Sequence, residues 1–247
     1  MIRTGVTLFF IVLALVFLMP LLILRTLVSG DANFMYFTAM RYLRFLNRIA
    51  GISIRIEGLE NIPASVCIFA SNHVSNIDPP ALFPSIPRRI SILAKKQVFR
   101  IPILSPAMRL AKLVPVDRRD RESAAASVDL AIQYLKEGLS FCVYPEGTRS
   151  PDGRLKPFKK GTFLMAIQAG VPIVPVALIG AQRLMRKGDW TIHPGEMIIR
   201  FCPPVDAAAY SIEQRQELLD AVHNRIAGVL PDDQKPLPEN PSPAASQ

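Results

Sequence analysis

The chain has 247 residues, half of them hydrophobic, with 29 Lys and Arg against 20 Asp and Glu and a net charge of +9 at neutral pH. That length suits one full hydrophobic core plus an appendage rather than several domains, and the apolar content excludes a disordered chain. Cys67, Cys142 and Cys202 lie in separate apolar runs without CxxC spacing, which excludes a disulfide scaffold and points to core thiols of a reducing compartment.

The first element is an uncharged run between Arg3 and Arg25, TGVTLFFIVLALVFLMPLLIL, matching the roughly 20 residues a helix needs to cross a hydrocarbon core. A secretory signal has a shorter apolar core and a small-x-small cleavage site, whereas this run ends in Leu-Arg-Thr-Leu. Only Arg3 precedes it, while Arg25, Arg41, Arg44, Arg48 and Arg55 follow, so positive-inside bias predicts an inner-membrane protein with its domain on the cytoplasmic side. Pro20 argues against a straight span and leaves a hairpin half-inserted in one leaflet as the alternative. The next stretch, FMYFTAMRYLRFLNRIAG, puts Arg41, Arg44 and Arg48 on one helical stripe with Phe34, Phe37, Leu43 and Leu46 around the rest. It is either a basic amphipathic helix at a membrane interface or an ordinary helix packed on the domain. Residues 1–50 thus form the expected anchor and amphipathic helix.

From residue 51 to 230, short β-rich runs alternate with helix-compatible segments. The runs are ISIRIEG, VCIFAS, ISILAK, LVPV, LSFCVYP, VPIVPVAL and EMIIRFC; the helical segments fall near 79–86, 97–111, 119–137, 158–169 and 211–229. This predicts an α/β domain whose mostly parallel or mixed sheet is flanked by helices, since several runs are continuously apolar as in strands covered on both faces. Residues 231–247, PDDQKPLPENPSPAASQ, are proline-rich and nearly devoid of large apolar side chains, the composition of a disordered tail.

Charge is concentrated between residues 88 and 121, where ten Lys and Arg face only Asp117 and Asp120. Such a patch seeks phosphates, yet no helix-turn-helix, zinc-finger or RNP-like pattern accompanies it, so nucleic acid is not expected as a partner. Next to an apolar anchor, anionic lipids and phosphorylated small molecules fit better. His73, His193 and His223 are too scattered for a metal signature, and no metal is expected.

Ligands of open α/β sheets lie beyond the carboxyl ends of the strands. There the sequence places Asn72-His73 after VCIFAS, Lys95-Lys96 after ISILA, Asp117-Arg118 after LVPV, and Glu146-Gly147-Thr148-Arg149 after LSFCVYP. His73 and Asp78 sit five residues apart, a spacing that brings them together only if Val74 to Ile77 form a turn. Ser75 and Asn76 are turn formers, and Asp78 before Pro79 reads as a helix N-cap. The pair is therefore either a general base with its orienting carboxylate or a polar loop with a capping aspartate. Arg118 is closest to its strand end among the arginines at 118, 119 and 121, and Lys156, Lys159 and Lys160 open the helix after the glycine turn or are plain solvated surface.

In this order and spacing NHVSNIDPP, KKQVFRIPILSPAMRLAKLVPVDR, YPEGTRS and VPIVPVAL resemble the four sequence blocks of the glycerophospholipid acyltransferases, above all those acting on 1-acyl-sn-glycerol-3-phosphate, over roughly residues 55–205. The resemblance implies a catalytic His73–Asp78 dyad, acceptor binding by Arg118, Glu146, Gly147, Thr148 and Arg149 with Lys96 nearby, and an acyl-donor or pocket-shaping role for Pro172 and Pro175. Two positions depart from the common pattern: Lys95-Lys96-Gln97-Val98 stands where many members have Lys-x-Glu-Leu, and Ser105 stands where glycine is common. The acceptor is thereby left open between lysophosphatidic acid and another lysolipid.

The implied chemistry is direct acyl transfer from acyl-CoA or acyl carrier protein as co-substrate, without a bound cofactor, to the sn-2 hydroxyl of a lysophospholipid acceptor in the membrane, giving phosphatidic acid. Rival readings are a membrane-bound thioester hydrolase, which has no need of Arg118 and Arg149, and a non-catalytic lipid-binding scaffold, which has no need of the dyad. No Gly-x-Ser-x-Gly elbow is present, and Cys67 lies within an apolar strand.

Overall fold

The computed structural model describes residues 1–117 and 120–237. Its seven strands are β1 (Ile52–Glu57), β2 (Ile68–Ser71), β3 (Ile90–Lys95), β4 (Val114–Val116), β5 (Ser140–Val143), β6 (Ile173–Ile179) and β7 (Gly195–Phe201). They form one sheet in the order β1-β7-β6-β2-β5-β3-β4. β6, β2, β5, β3 and β4 run parallel, and β7 runs antiparallel to β6 with β1 parallel beside it, so the sheet is mixed, as the sequence leads one to expect.

Both faces are covered, which explains why the strand runs are continuously apolar. Cys67 and Phe69 pack with Leu82, Val174 and Val176 on one face; Ile68 and Ala70 pack with Phe141, Phe163 and Leu218 on the other. The helices are α1 (Ile2–Leu13), α2 (Met19–Ser29), α3 (Asn33–Ala50), α4 (Asp78–Leu82), α5 (Leu104–Leu110), α6 (Arg121–Lys136), α7 (Gly161–Ala169), α8 (Ala181–Leu184) and α9 (Arg215–Val229).

Two segments differ from expectation. The helix predicted over 97–111 is split into a 3₁₀ turn, Lys96–Arg100, and α5. Pro102 supplies the reason: it lacks an N–H and disfavours the helical region for Ile101, whose backbone is extended at φ −74° and ψ 116°. Likewise the tail predicted from residue 231 begins fixed rather than disordered. The Gln234 carbonyl accepts the Leu155 N–H at 2.8 Å, while its fully buried side chain bonds the Gly180 N–H at 2.9 Å and the Leu178 carbonyl at 3.1 Å.

α1 and α2 form one rod of 28 residues whose most apolar 18-residue stretch has a mean hydropathy of 3.0 and is largely unburied. Between them Ala14–Leu18 is wound as a π-helix, the Met19 N–H reaching the Ala14 carbonyl, directly before Pro20, which has no N–H to donate. After Gly30, in the left-handed region at φ 69°, α3 doubles back along the rod. The Tyr42 hydroxyl donates to the Phe10 carbonyl at 2.6 Å and the Phe10 and Phe45 rings meet edge to face at 5.4 Å. Both ends of the rod touch the domain: the Ile192 N–H donates to Thr4 Oγ1 at 3.0 Å, and Leu22 packs with Ala107 of α5 and with Ala111 just after it. The rod is thus tied to the domain near both of its ends rather than projecting from it.

α3 is also a packed helix. Arg44 donates to the Pro84 carbonyl from Nε at 3.1 Å and again from Nη2, and Asn47 Nδ2 donates to the Pro80 carbonyl at 2.9 Å. The basic run of 88–121 does not form one patch. Arg88 and Arg89 sit at the amino end of β3, bonded to the Ser65 and Leu110 carbonyls at 2.5 and 3.1 Å, and Lys112 pairs with Glu137 at 2.8 Å. Lys95, Lys96 and Arg100 remain exposed at the carboxyl end.

Candidate active site

The site is built where β2, the central strand, emerges between β5 and β6. Asn72 fixes the exit: its buried amide accepts the Leu178 N–H at 2.7 Å and donates to the Leu178 carbonyl at 3.0 Å, tying the end of β2 to the end of β6. The chain then turns through Ser75–Ile77, held by Ser75 Oγ, which accepts the Ile77 N–H at 3.0 Å and donates to the Met185 carbonyl at 2.7 Å.

The turn brings His73 and Asp78 together, with Nδ1 2.8 Å from Oδ2. Asp78 is fully buried, and the same Oδ2 accepts the Val74 N–H at 2.7 Å and the Ser75 N–H at 2.8 Å. The sequence reads Asp78 as the cap of its own helix. Instead α4 starts at Asp78 with Ile77 as its cap, and the carboxylate turns back to collect the loop's N–H groups and the imidazole on one oxygen. An ionised carboxylate only accepts, so Nδ1 carries the proton and Nε2 keeps its lone pair for a ligand.

The third block fastens the histidine from the other side. Glu146 Oε1 accepts the His73 N–H at 3.0 Å, the Ser150 N–H donates to the His73 carbonyl at 2.8 Å, and the Tyr144 ring stacks on the imidazole with centroids 4.1 Å apart. Gly147 makes the intervening turn at φ 75°, where a Cβ would also lie 3.0 Å from Lys159 Cε. Burial pushes the Glu146 carboxyl up to about 8, against the lowering pull of the His73 N–H and the Lys156 charge. Burial likewise holds the Tyr144 hydroxyl well above the usual phenol range.

Arg149, half-buried, donates from Nη1 to Asn76 Oδ1 at 2.5 Å, and its carbonyl accepts from Lys187 Nζ at 3.1 Å. Its guanidinium therefore lies against the turn that carries His73 and Asp78. Thr148 and Lys96 are exposed, each just beyond the carboxyl end of its strand. Arg118 lies outside the described residues. Pro172 and Pro175 are not brought to the site: Pro172 precedes β6 at its amino end, and Pro175 is buried in mid-strand opposite Ala70. β6 reaches the site through Leu178 instead.

Sequence reasoning placed Asn72 at the strand end and Ser75 in the turn without seeing their partners, and passed over Tyr144. Nothing in the apolar run LSFCVYP distinguishes Tyr144 from a core residue, because its importance comes from a partner, His73, in the loop after another strand. Buried side-chain polar atoms without a partner number five among the described residues, and three of them, Asp78 Oδ1, Tyr144 Oη and Glu146 Oε2, belong to this site. Such orphans are costly in a core and gather where function requires them.

A family model described as Acyltransferase matches residues 53–179. The chain is 35% identical over 190 residues to the 1-acyl-sn-glycerol-3-phosphate acyltransferase of Limnanthes douglasii, covering 76% of this chain and 67% of that one. It is 32% identical over 183 residues to the protein of the same name from Borreliella burgdorferi, covering 74% and 73%. The crystal structure of the 1-acyl-sn-glycerophosphate (LPA) acyltransferase, PlsC, from Thermotoga maritima superposes with a TM-score of 0.81 at 29% identity, over 91% of this chain and 92% of that one. With the family model spanning more than half of its length, from β1 to the end of β6, the chain belongs to the acyltransferase family.

Proposed function

We propose that the protein transfers a fatty acyl group from the thioester of acyl-CoA or acyl carrier protein to the sn-2 hydroxyl of 1-acyl-glycerol-3-phosphate, giving phosphatidic acid at a membrane surface. The observation that carries the proposal is the His73 Nδ1 to Asp78 Oδ2 bond at 2.8 Å, made by a fully buried carboxylate to a ring that stays 18% exposed. With Nδ1 engaged, Nε2 accepts the proton of the acceptor hydroxyl as that oxygen attacks the thioester carbonyl. The C–S bond breaks, the imidazolium returns the proton to the leaving thiolate, and no acyl-enzyme forms. Asp78 holds the ring in the working tautomer and stabilises the transient imidazolium, a role of the kind a buried aspartate plays for other catalytic histidines.

Arg149 is the cation best placed for the acceptor phosphate, because its anchor, Asn76, lies within the dyad loop. Arg118 and Lys96 are the further acceptor ligands of this reading, with Thr148 and the amides about Gly147 at the rim. A hydrolase has no use for that cation, which is why transfer is preferred. The apolar hairpin of α1, α2 and α3 supports membrane association, with the domain on the cytoplasmic face and both lipid substrates reached from the bilayer. The test is a transfer assay with purified protein and acyl-CoA or acyl carrier protein, with and without lysophosphatidic acid. Phosphatidic acid formed only when acceptor is present is expected; free fatty acid released at the same rate without acceptor sinks the reading in favour of hydrolysis.

A further inference from the structure

The loop from Met185 to Pro194 connects three things that the proposed function treats separately. At its root the Met185 carbonyl accepts from Ser75 Oγ at 2.7 Å, inside the dyad turn. Two residues on, Lys187 Nζ donates to the Arg149 carbonyl at 3.1 Å. At its far side the Ile192 N–H donates to Thr4 Oγ1 at 3.0 Å, at the start of the apolar rod, and Arg3 lies beside Pro194 and Gly51.

The loop is internally bonded: the Asp189 carboxylate accepts the Thr191 N–H at 2.7 Å, the His193 N–H donates to the Leu184 carbonyl at 2.9 Å, and His193 pairs with Asp189 at 3.6 Å. Yet at its tip Trp190 is 77% exposed. An indole is large, apolar and carries one N–H donor, and an ordered loop that holds it in water forgoes most of its burial. The same side chain is at home at the boundary between headgroups and acyl chains.

We infer that the loop 185–194 is a second membrane contact, with Trp190 entering the interface of an anionic bilayer and Arg186 and Lys187 meeting its headgroups. Two observations select a lipid surface over other occupants. The loop is bonded directly to the first turn of the rod, and Ile2, Leu8 and Phe9 of that rod are themselves bare, so two adjoining elements both present exposed apolar side chains. Its exposed cations, Arg186 and Lys187, match anionic lipid. Because the same loop holds Ser75 and Arg149 from behind, its insertion sets the mouth of the dyad toward the bilayer, where an acyl-bearing acceptor arrives. The inference rests on the membrane reading of the hairpin and not on the identity of the acyl acceptor.

Trp190 is the sole tryptophan of the chain, so its emission reports this loop alone. The full chain is reconstituted from detergent into vesicles of phosphatidylcholine and phosphatidylglycerol, and flotation, iodide quenching and quenching by lipids brominated near the headgroup end of the acyl chain are read in parallel. Expected are flotation with the vesicles, emission at shorter wavelength than in water, shielding from iodide and quenching by the brominated lipid. Flotation together with an iodide-accessible tryptophan that brominated lipid leaves unquenched overturns this inference and leaves the hairpin standing. Failure to float overturns both. A tryptophan that iodide reaches in vesicles but that acyl carrier protein shields overturns it in favour of a protein partner. Trp190→Ala, compared with Trp190→Phe, adds a second readout: several-fold lower kcat/KM on acceptor embedded in vesicles, unchanged kcat/KM on a short-chain acceptor free in solution, and unchanged flotation. Equal losses on both acceptors point to a folding defect and overturn the interfacial role.

Discussion

The two ends of the central strands carry similar charge and use it in opposite ways. At the amino end, Arg88 and Arg89 donate to the carbonyls of Ser65 and Leu110, and Lys112 pairs with Glu137, so the cations are bound by the fold itself. At the carboxyl end, Lys95, Lys96 and Thr148 stay exposed, while the buried polar atoms of Asp78, Tyr144 and Glu146 include three without partners. At the amino end only Arg89 Nε, among the buried side-chain atoms of the described residues, is left without a partner, whereas the carboxyl end gathers three such atoms and keeps capacity open for a ligand. A residue's charge alone therefore says little about function; what matters is whether the fold already satisfies it.

The largest contrast is expected from removing one group at each end. His73→Ala deletes the general base and should lower turnover by about 10²- to 10⁴-fold, with the thermal midpoint little changed. Asp78→Asn should approach the same loss, since the charge that favours the imidazolium goes. Arg88→Ala should leave turnover per folded molecule unchanged and cost about 1–2 kcal/mol of stability, the scale of lost hydrogen bonds from a charged group. Near-normal turnover in purified His73→Ala, or lost turnover in stably folded Arg88→Ala, breaks the comparison.

Arg149 sharpens it, being a cation that is both held and offered. Arg149→Lys keeps the charge and loses the planar fork, so KM for lysophosphatidic acid should rise about tenfold, the equivalent of some 1.4 kcal/mol. The KM for acyl donor should move less. Unchanged acceptor kinetics, with donor saturating, shift the phosphate to Arg118 or the lysines.

Tyr144 tests positioning without charge. Tyr144→Leu removes the ring stacked on His73, and with a stacked pair worth about 0.5–1.5 kcal/mol, kcat should fall several-fold while acceptor KM holds and the pH profile of kcat shifts. Tyr144→Phe keeps the ring and removes an unpartnered buried hydroxyl, so activity should be retained and stability should hold or rise. If the phenylalanine variant loses as much activity as the leucine variant, the hydroxyl and not the stack is what matters.

How much of this was legible in the sequence follows from how local each cause is. The seven strands could be read because apolar runs bounded by polar turns record burial directly. His73 and Asp78 could be paired because the turn formers that join them lie between them in sequence. The roles of Tyr144, Asn72 and Gln234 could not be read, since their partners are 71, 106 and 56 residues away and leave no trace in their own neighbourhood. For the same reason the basic run from 88 to 121 read as one patch: sequence shows the cations but not the carbonyls of Pro63 and Leu110 that occupy two of them.

Glu146 gives the smallest effect on turnover and the most specific one on stability. Its carboxyl is ordinary in the unfolded chain, at 4.5, and is raised to about 8 in the fold by burial. Between those values the folded state holds a proton that the unfolded state has lost, so stability is full below 4.5 and declines as pH rises, at up to about 1.4 kcal/mol per pH unit. Glutamine is neutral throughout and keeps a side-chain oxygen to accept the His73 N–H. Glu146→Gln should therefore match the wild type in thermal stability near pH 5, exceed it near pH 8 and show a flatter profile between, while turnover falls only modestly because the backbone of His73 stays fastened. The two stability curves must diverge as pH rises. Parallel curves, or a variant less stable at alkaline pH, mean that the carboxylate is charged in the fold, with Lys156 compensating it, and Glu146 then belongs among the groups offered to the acceptor rather than those holding the histidine in place.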